Sequence, residues 1–304
     1  MNTFNFNTIP SQKGRIAIIT GANIGLGYET TKFFVKKDIK VVMACRNIEK
    51  AEKAKQEIVK TVPGAEIIVM KLDLNSLQSV RNFASAYKEQ FDRLDLLINN
   101  AGIMVPPFAK TEDGFESQMG VNYFSHFELT GLLLPLLEKT EGARIVSLSS
   151  MAHKNGKIDL NNLNAENGYS KFGAYSQSKL ACLMFAYELK RRLEKSGSHV
   201  ISVAAHPGGA TTNLGQHVPK FLYTIVETLF GGFFNTPEMG ALPTVYAALG
   251  EDIKSGDYTG PDGFNEIKGH KPKKVSSTKY SHRTDISKLL WDASERLTGF
   301  TYSI

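Results

Sequence analysis

A tyrosine and a lysine stand four residues apart in one long amphipathic stretch of this sequence. Tyr175 and Lys179 lie in a periodic segment at about 174–195, so on a helix their side chains share one face. A free tyrosine titrates near pH 10, which is too high for efficient proton transfer at neutral pH. A neighbouring ammonium stabilises the phenolate form. The pair therefore predicts acid–base chemistry by Tyr175, supported by Lys179.

This spacing has a plainer interpretation, because a tyrosine and a lysine four residues apart also occur as an ordinary surface pair on a helix. Tyr169 is a rival proton donor a few residues earlier. The fourth residue after Tyr169 is Gly173, so this tyrosine lacks the charged partner that the chemistry needs.

Short apolar runs alternate with helix-length amphipathic segments along the chain. The runs are nearly continuous in Ile and Val, which is typical of strands covered on both faces. The alternation predicts one α/β domain over residues 1–304, a doubly wound and mostly parallel sheet with helices on both faces. The predicted strands are 16–20, 40–44, 66–70, 94–98, 144–148 and 200–204. The predicted helices are about 25–37, 47–61, 76–91, 115–138 and 174–195.

Three glycines follow the first predicted strand, at Gly21, Gly25 and Gly27, and a helix begins among them. Glycines in such a turn permit a tight bend, a close approach of the backbone to a pyrophosphate, and tight packing of helix on strand. The helix N-terminus then faces the anion. A plain glycine turn is the alternative, but the strand–turn–helix context favours a dinucleotide site.

The end of the second strand bears on the choice of dinucleotide. Folds that bind NAD usually place an acid there for the ribose 2′-hydroxyl, whereas this chain has Cys45 followed by Arg46. A guanidinium binds a 2′-phosphate well. The nearest acid, Glu49, is explained by its place in a helix first turn. The sequence therefore predicts NADP(H), with an ordinary surface arginine as the alternative.

Five ordered motifs resemble those of the short-chain dehydrogenase/reductase family. Over residues 14–299 the resemblance implies a sheet of about seven strands and an enzyme that interconverts a carbonyl and an alcohol with NADP(H). The 25 residues from Ser150 to Tyr175 are about twice the spacing common in the family. The extra segment resembles an insertion in retinol dehydrogenases and protochlorophyllide reductases. The motifs are the T-G-x-x-x-G-x-G turn at 20–27, N-N-A-G at 99–102, the serine pair 149–150, Tyr-x-x-x-Lys at 175–179 and P-G-x-x-x-T at 207–212.

The resemblance assigns four catalytic roles. Asn122 would hold a water that relays protons, Ser150 would orient the carbonyl oxygen, Tyr175 would donate the proton, and Lys179 would tune Tyr175 and bind ribose. Ser149 stays open as an alternative to Ser150. The implied cofactor-binding residues are Gly21, Asn23, Ile24, Gly25, Gly27, Arg46, Asp73, Leu74, Asn100, Ala101, Gly102, Tyr175, Lys179, Pro207, Gly208 and Thr212.

Two of these positions have their own alternatives. Many NADP-preferring relatives carry a basic residue just before the second glycine of the turn, where this chain departs from the pattern with Ile24. Asp73 would contact the adenine, but an Asp at this place also closes a strand and caps the following helix.

The composition turns apolar after residue 210. Apolar residues recur there at three- and four-residue steps, which predicts one stripe along a helix. The resemblance implies a substrate lid at about 211–240, a C-terminal segment at about 256–304, and a small apolar carbonyl or alcohol as substrate. Packing into the core is the alternative role for the stripe.

The positive charge of the chain is local. The net charge is +6, and the segment 268–283 alone carries six basic residues and no acid. We interpret this basic segment as a solvated surface stretch and expect no nucleic-acid partner, since no nucleic-acid motif accompanies it. Two cysteines exclude a disulfide scaffold and are too few for a zinc ribbon, so no metal site is predicted.

No apolar stretch approaches the roughly 18 residues that span a membrane, and no signal peptide is evident, so the expected location is cytoplasmic. The family resemblance implies a homodimer or homotetramer. Two other functions stay open: a regulatory protein that senses NADP(H) without turnover, and a sugar-nucleotide epimerase, which would have a different glycine spacing.

Overall fold

The computed structural model describes residues 4–209 and 235–304. In these residues one sheet of eight strands is present, in the order β3-β2-β1-β4-β5-β6-β7-β8. Strands β1 to β7 are parallel, and β8 pairs antiparallel with β7. The strands are β1 (Ile16–Thr20), β2 (Lys40–Cys45), β3 (Ile67–Lys71), β4 (Leu96–Asn99), β5 (Arg144–Leu148), β6 (Ile201–Ala205), β7 (Tyr258–Pro261) and β8 (Pro272–Lys274).

Helices cover both faces of the sheet. Helices α1, α2 and α7 pack on one face, and α3, α5, α6 and α8 pack on the other. The helices are α1 (Gly25–Val35), α2 (Ile48–Thr61), α3 (Leu77–Gln90), α4 (Ser117–Met119), α5 (Ser125–Glu138), α6 (Lys171–Ser196), α7 (Pro237–Leu249) and α8 (Thr284–Thr298). A π-helical turn, Gly120–Phe124, joins α4 to α5.

The doubly wound α/β architecture predicted from the alternation of apolar runs is confirmed. Each of the six predicted strands is present with bounds that differ by at most two residues. The count of about seven strands was one short, because β8 is a three-residue edge strand inside the basic segment and carries no apolar signal. Helix α7 was also missed, since it is buried on nearly all sides and lacks an amphipathic stripe.

The C-terminal residues pack against α5 on the α3/α5/α6/α8 face. The hydroxyl of Tyr302 donates to the carbonyl of Phe127 at 2.6 Å, and the Trp291 ring meets Phe127 edge-on at 5.0 Å between ring centroids. Gly131 leaves the space in α5 that the Phe300 ring occupies. The end of the chain is therefore part of the core beneath this helix.

The basic segment lies along β8 and the 3₁₀ turn that follows it. Lys274 pairs with Asp257 at 2.8 Å, and Arg283 pairs with Asp285. These two charges are therefore matched by acids outside the segment.

Across residues 4–209 and 235–304, we find no helix with both the length and the apolar character needed to cross a bilayer.

Candidate active site

The carboxyl ends of the parallel strands meet at one edge of the sheet, where the strand order reverses between β1 and β4. Ligands of open α/β sheets bind at such a reversal. A cleft of about 540 Å³ lies there, between the turn after β1 and the loop after β4. The predicted cofactor residues that line it are Gly21, Asn23, Ile24, Gly25, Arg46, Asp73, Leu74, Asn100, Ala101 and Gly102.

The glycine turn after β1 is built for a close backbone approach. Gly21 and Gly25 adopt φ values of +65° and +58°, which a residue with a side chain rarely adopts. A Cβ on Gly27 would lie 2.6 Å from both Asn100 Nδ2 and the Gly21 carbonyl oxygen. Helix α1 has no side-chain cap at its N-cap residue, Ile24. Its first amides therefore suit a phosphate anion.

The turn after β1 is locked to the loop after β4 by Thr20. Its hydroxyl oxygen accepts from the amides of Asn100 and Ala101, each at 2.9 Å. In return, Asn100 Nδ2 donates to the Thr20 carbonyl at 2.7 Å. The two walls of the cleft are thus fixed to each other by hydrogen bonds.

The end of β2 brings cations to the cleft. Arg46 is exposed and lines the cleft together with Asn47 and Lys50. Lys71 donates to the Arg46 carbonyl at 2.6 Å, which adds a further charge nearby. Sequence reasoning missed Lys50, although its place one turn after Arg46 was a usable signal.

Asp73 lies at the cleft and also closes a turn, so both of the roles predicted for it are compatible with its position. It lines the cleft, and its Oδ1 also accepts from the Asn75 amide at 3.0 Å, which closes the turn after β3. Leu74 beside it is buried. Ile24, where a basic residue would favour NADP, is about half exposed at the cleft mouth.

Asn122 lies in the π-helical turn before α5. Its Oδ1 accepts from the Ile103 amide at 2.8 Å, while its Nδ2 donates to the Ile103 carbonyl at 3.0 Å and to Ser178 Oγ at 2.9 Å. A π turn widens a helix and is frequent at functional sites. Asn122 therefore ties the loop after β4 to helix α6.

Tyr175 and Lys179 are both buried on α6, each 5% exposed. Lys179 Nζ donates to the carbonyl of Leu148, the last residue of β5, at 3.1 Å. A Cβ on Gly102 would lie 3.3 Å from this nitrogen and 3.1 Å from Asn122 Oδ1. The ammonium therefore lies beside Asn122 and beside Gly102 at the inner end of the cleft, although neither Tyr175 nor Lys179 lines the cleft itself.

The two serines after β5 differ in their contacts. Ser149 is buried, and its hydroxyl donates to the Lys179 carbonyl at 2.8 Å. Ser150 Oγ accepts from the Ala152 amide at 3.2 Å, which caps the turn Met151–Asn155. In the described part of the chain no acceptor is present for the Ser150 hydroxyl proton, so this proton is available to a ligand.

Tyr169 is engaged elsewhere. Its hydroxyl donates to the Pro106 carbonyl at 2.9 Å and accepts from Gln118 Nε2 at 3.1 Å. Burial raises its pKa above the ordinary tyrosine value. The rival proton donor is therefore held in the loop that flanks α4.

Sequence reasoning missed His126, which joins the Asn122 turn to the glycine turn. Its Nδ1 lies 2.9 Å from the Asn122 carbonyl, so this nitrogen carries the proton and donates it. The bare Nε2 then accepts from the Thr20 hydroxyl at 2.9 Å. Burial lowers the pKa of His126 to about 4. A histidine four residues after Asn122, on the same face of a predicted helix, was the available signal.

The loop after β6 carries Pro207 and Gly208, two further predicted cofactor residues. Gly208 has φ +73°, and its amide donates to His206 Nδ1 at 3.2 Å. Asn235 Nδ2 donates to the Pro207 carbonyl at 2.9 Å. Thr212 and most of the predicted lid at 211–240 lie outside the described residues.

Comparison with known proteins gives consistent matches. A family model described as short chain dehydrogenase matches residues 15–221. Retinol dehydrogenase 14 of Homo sapiens is 40% identical over 303 residues, covering 94% of this chain and 87% of that protein. Retinol dehydrogenase 11 of Homo sapiens is 41% identical over 289 residues, covering 94% and 86%.

Solved structures match as well. A crystal structure of an uncharacterised protein from Mycobacterium paratuberculosis has a TM-score of 0.82 and 38% identity, covering 100% of both chains. The active-site complex of Pseudomonas aeruginosa RhlG with NADP has a TM-score of 0.65 at 24% identity, covering 85% of this chain and 96% of that one. The second likeness concerns the fold alone.

Proposed function

We propose that this chain, which belongs to the short-chain dehydrogenase family, is an NADP-dependent oxidoreductase acting on an apolar carbonyl or alcohol. Membership of the family carries the coarser activity, an interconversion of carbonyl and alcohol with a nicotinamide cofactor. The choice of NADP(H), the apolar substrate and the residue roles are our proposals.

The observation that carries the mechanism is the buried pair on α6. Lys179 is held by the Leu148 carbonyl and faces the inner end of the cleft, one helical turn from Tyr175. Its ammonium stabilises the phenolate when Tyr175 gives its proton to the carbonyl oxygen. General acid catalysis of this kind contributes about 10²–10⁴-fold to rate.

Other side chains position the substrate and the proton. The Ser150 hydroxyl, whose oxygen accepts from the Ala152 amide, donates a hydrogen bond to the carbonyl oxygen and orients it. Asn122 holds the Ile103 backbone and α6 in register around the ammonium. The dinucleotide supplies or accepts the hydride when bound. The glycine turn, which a Cβ on Gly27 would obstruct, fits its pyrophosphate.

The preference for NADP(H) rests on the end of β2. Arg46 lines the cleft where an acid would repel a 2′-phosphate, and Lys50 lies beside it. A guanidinium and a nearby ammonium favour a phosphate dianion over a ribose hydroxyl.

The apolar substrate is supported by side chains on the proton-transfer side. Phe172 is 53% exposed on α6, three residues before Tyr175, so both lie on one side of the helix. Phe108 is 48% exposed and packs edge-on against Tyr169 at 5.2 Å. The similar human proteins are named as retinol dehydrogenases, and retinol is an apolar alcohol.

We further propose a cytoplasmic location and a homodimer or homotetramer. Both cysteines of the chain, Cys45 and Cys182, are free and buried, which suits a reducing compartment. The oligomer is expected from the family alone.

The test is a screen of carbonyl compounds by loss of NADPH absorbance, run in parallel with NADH. We expect turnover of long-chain or polyene aldehydes with NADPH and little turnover of short polar ketones. Tyr175→Phe is the control for background reduction. NADPH binding without turnover of any carbonyl would contradict this function and favour the sensing protein instead.

A further inference from the structure

A group of buried ionisable side chains lies behind Ser150, between the loop after β6 and the turn after β5. His153 and His206 are each 1% exposed. Their rings lie 5.6 and 5.1 Å from the ring of the buried Tyr258, between centroids. Glu266 reaches into this group from the turn Phe264–Glu266. None of these residues takes part in the mechanism above.

The tautomer of His206 follows from its neighbours. The Gly208 amide donates to Nδ1 at 3.2 Å, so Nδ1 carries no proton. Nε2 then bears the proton and lies 3.1 Å from Glu266 Oε2, an ion-pair distance at an angle outside hydrogen-bond geometry. The glycine at position 260 leaves the space that this side of the ring occupies. A neutral His206 thus connects the Gly208 backbone to a carboxylate.

Glu266 is placed by a strained turn. Asn265 and Glu266 have φ values of +49° and +61°, a left-handed backbone that costs energy for residues with side chains. The Gly209 amide donates to the Ile267 carbonyl at 2.8 Å, and a Cβ on Gly208 would lie 2.8 Å from the Glu266 carbonyl oxygen. Backbone strain of this kind is often found at functional sites.

The same carboxylate reaches the turn that carries Ser150. Lys154 Nζ donates to Glu266 Oε2 at 3.3 Å. One residue earlier, His153 Nδ1 donates to the Ser150 carbonyl at 2.7 Å. A chain of contacts therefore runs from the Gly208 amide through His206, Glu266 and Lys154 to the turn that Ser150 caps.

We infer that His206 and Glu266 are positioning residues, which set the distance between the Pro207–Gly208 loop and the Ser150 turn. The inference rests on the proposed function, in which one loop contacts the cofactor and the other orients the carbonyl. Neither side chain touches a reacting atom, and both act through the loops that they hold.

Neutral His206 is required for this arrangement. A second proton would go to Nδ1, where it would face the Gly208 amide proton and break that hydrogen bond. Burial lowers the pKa of His206, against the opposing effect of Glu266. The other ionisable groups around the ring are Lys154 and His153 on the turn after β5 and Tyr258 on β7. Protonation of His153 breaks no such bond, because its Nδ1 already donates.

The experiment measures binding of NADP⁺ by calorimetry between pH 5.5 and 8, with kcat and KM for a carbonyl and NADPH at the same pH values. His206→Leu removes both contacts. His206→Asn keeps an acceptor at the Nδ1 position and does not titrate. Glu266→Gln removes the charge at constant shape, and Glu251→Gln on an exposed residue is the matched control.

We expect His206→Leu to bind NADP⁺ about 3- to 10-fold more weakly at pH 7.5, the effect of one hydrogen bond. His206→Asn should stay within about twofold of wild type. As the pH falls below about 6.5 towards the lowered pKa of His206, wild type should lose affinity relative to His206→Asn. The ligand phosphate titrates near pH 6, but this cancels in the comparison of two proteins at one pH. Glu266→Gln should lower kcat more than it raises KM for NADPH.

Parallel pH profiles for wild type and His206→Asn would overturn the inference, as would wild-type affinity in His206→Leu. Should His206→Leu fail to fold, the His206→Asn profile decides alone. A wild type that binds NADP⁺ but reduces no carbonyl would contradict the proposed function and leave the binding comparison readable.

Discussion

The two ends of the cleft are suited to different tasks. One end depends on the absence of side chains and the other on buried side chains. At the glycine turn the important feature is what is missing: a Cβ on Gly27 would collide with Asn100 and with the Gly21 carbonyl. At the α6 end the important features are buried side chains, Tyr175 and Lys179, each 5% exposed. A phosphate needs backbone amides and space, whereas a proton needs a group placed and tuned to move it.

His126 connects the two ends. Its Nε2 accepts a hydrogen bond from the Thr20 hydroxyl beside the glycine turn, and its Nδ1 donates one to the Asn122 carbonyl on the side of α6. Substitutions at the glycine turn should therefore affect cofactor binding, and substitutions at Tyr175 or Lys179 should affect the rate. Substitution of His126 should destabilise the structure at both ends.

We expect the largest effect on activity from a substitution of Tyr175. Tyr175→Phe should lower kcat by about 10²–10⁴-fold, because the proton donor is removed. Cofactor affinity should stay within about twofold, since the phosphates lie at the other end. Steady-state kinetics and NADPH calorimetry on one preparation measure both. Near wild-type kcat would move the mechanism to another donor, with Tyr169→Phe as the matched control.

His126, which contacts both ends of the cleft, should make the stability of the protein depend on pH. Folding holds the pKa of His126 at about 4, while the unfolded chain binds this proton near pH 6.5. The unfolded state is therefore favoured as the pH falls between these values, and the His126 contribution to the free energy of unfolding should drop by about 3 kcal/mol. Urea denaturation of wild type and His126→Asn across this range isolates it. Equal slopes for the two proteins would refute the prediction.

The charge of Arg46 should make the cleft bind NADPH more tightly than NADH. Arg46→Ala should weaken NADPH binding by about 1.5–3 kcal/mol, the value of a charged hydrogen bond, and leave NADH nearly unchanged. Calorimetry with both cofactors measures the difference. Lys88→Ala, on an exposed residue that does not line the cleft, is the matched control for a general loss of positive charge. Equal losses for NADPH and NADH in Arg46→Ala would remove the argument for NADP(H).

The shape of the glycine turn should matter equally for both cofactors. Gly27→Ala places a methyl group 2.6 Å from Asn100 Nδ2 and the Gly21 carbonyl oxygen, so the turn must shift. Overpacking of this kind costs about 1–3 kcal/mol. NADPH and NADH binding should weaken alike, as calorimetry with both cofactors can show. Selective loss of NADPH would assign a specificity role to the turn.

The two serines should separate rate from stability. Ser149→Ala removes the hydrogen bond to the Lys179 carbonyl and should cost about 0.5–1.5 kcal/mol of folding free energy. Ser150→Ala should lower kcat/KM and change the melting temperature less. Thermal unfolding and kinetics on both variants give the contrast. A greater loss of activity in Ser149→Ala would reverse the assignment.

The strands of this fold were predictable where they are buried on both faces. β1 and β5 have the predicted bounds because their Ile- and Val-rich runs end at glycine, serine or charged residues. β7 and β8 were not, since Tyr258–Pro261 contains Gly and Pro and Pro272–Lys274 is basic. Their places depend on partners distant in sequence, which no local pattern reports.

The motifs of the candidate site were predictable from the sequence, but the contacts that connect them were not. Tyr175 and Lys179 follow from helix periodicity, and Gly27 from a strand–turn–helix pattern. His126 and Glu266 have meaning only in three dimensions: one contacts Thr20, 106 residues away, and the other contacts His206 across 60 residues of sequence. The roles proposed for all of these residues stay predictions.

The contact of Tyr302 with Phe127 has a consequence for synthesis on the ribosome. The two residues are separated by 175 positions, which takes roughly 9–35 s to translate at about 5–20 residues per second. During that interval the side of α5 that later receives Phe300 and Tyr302 lacks its cover. Chaperone occupancy of this side of α5 should therefore persist until Phe300 and Tyr302 are free to pack against it.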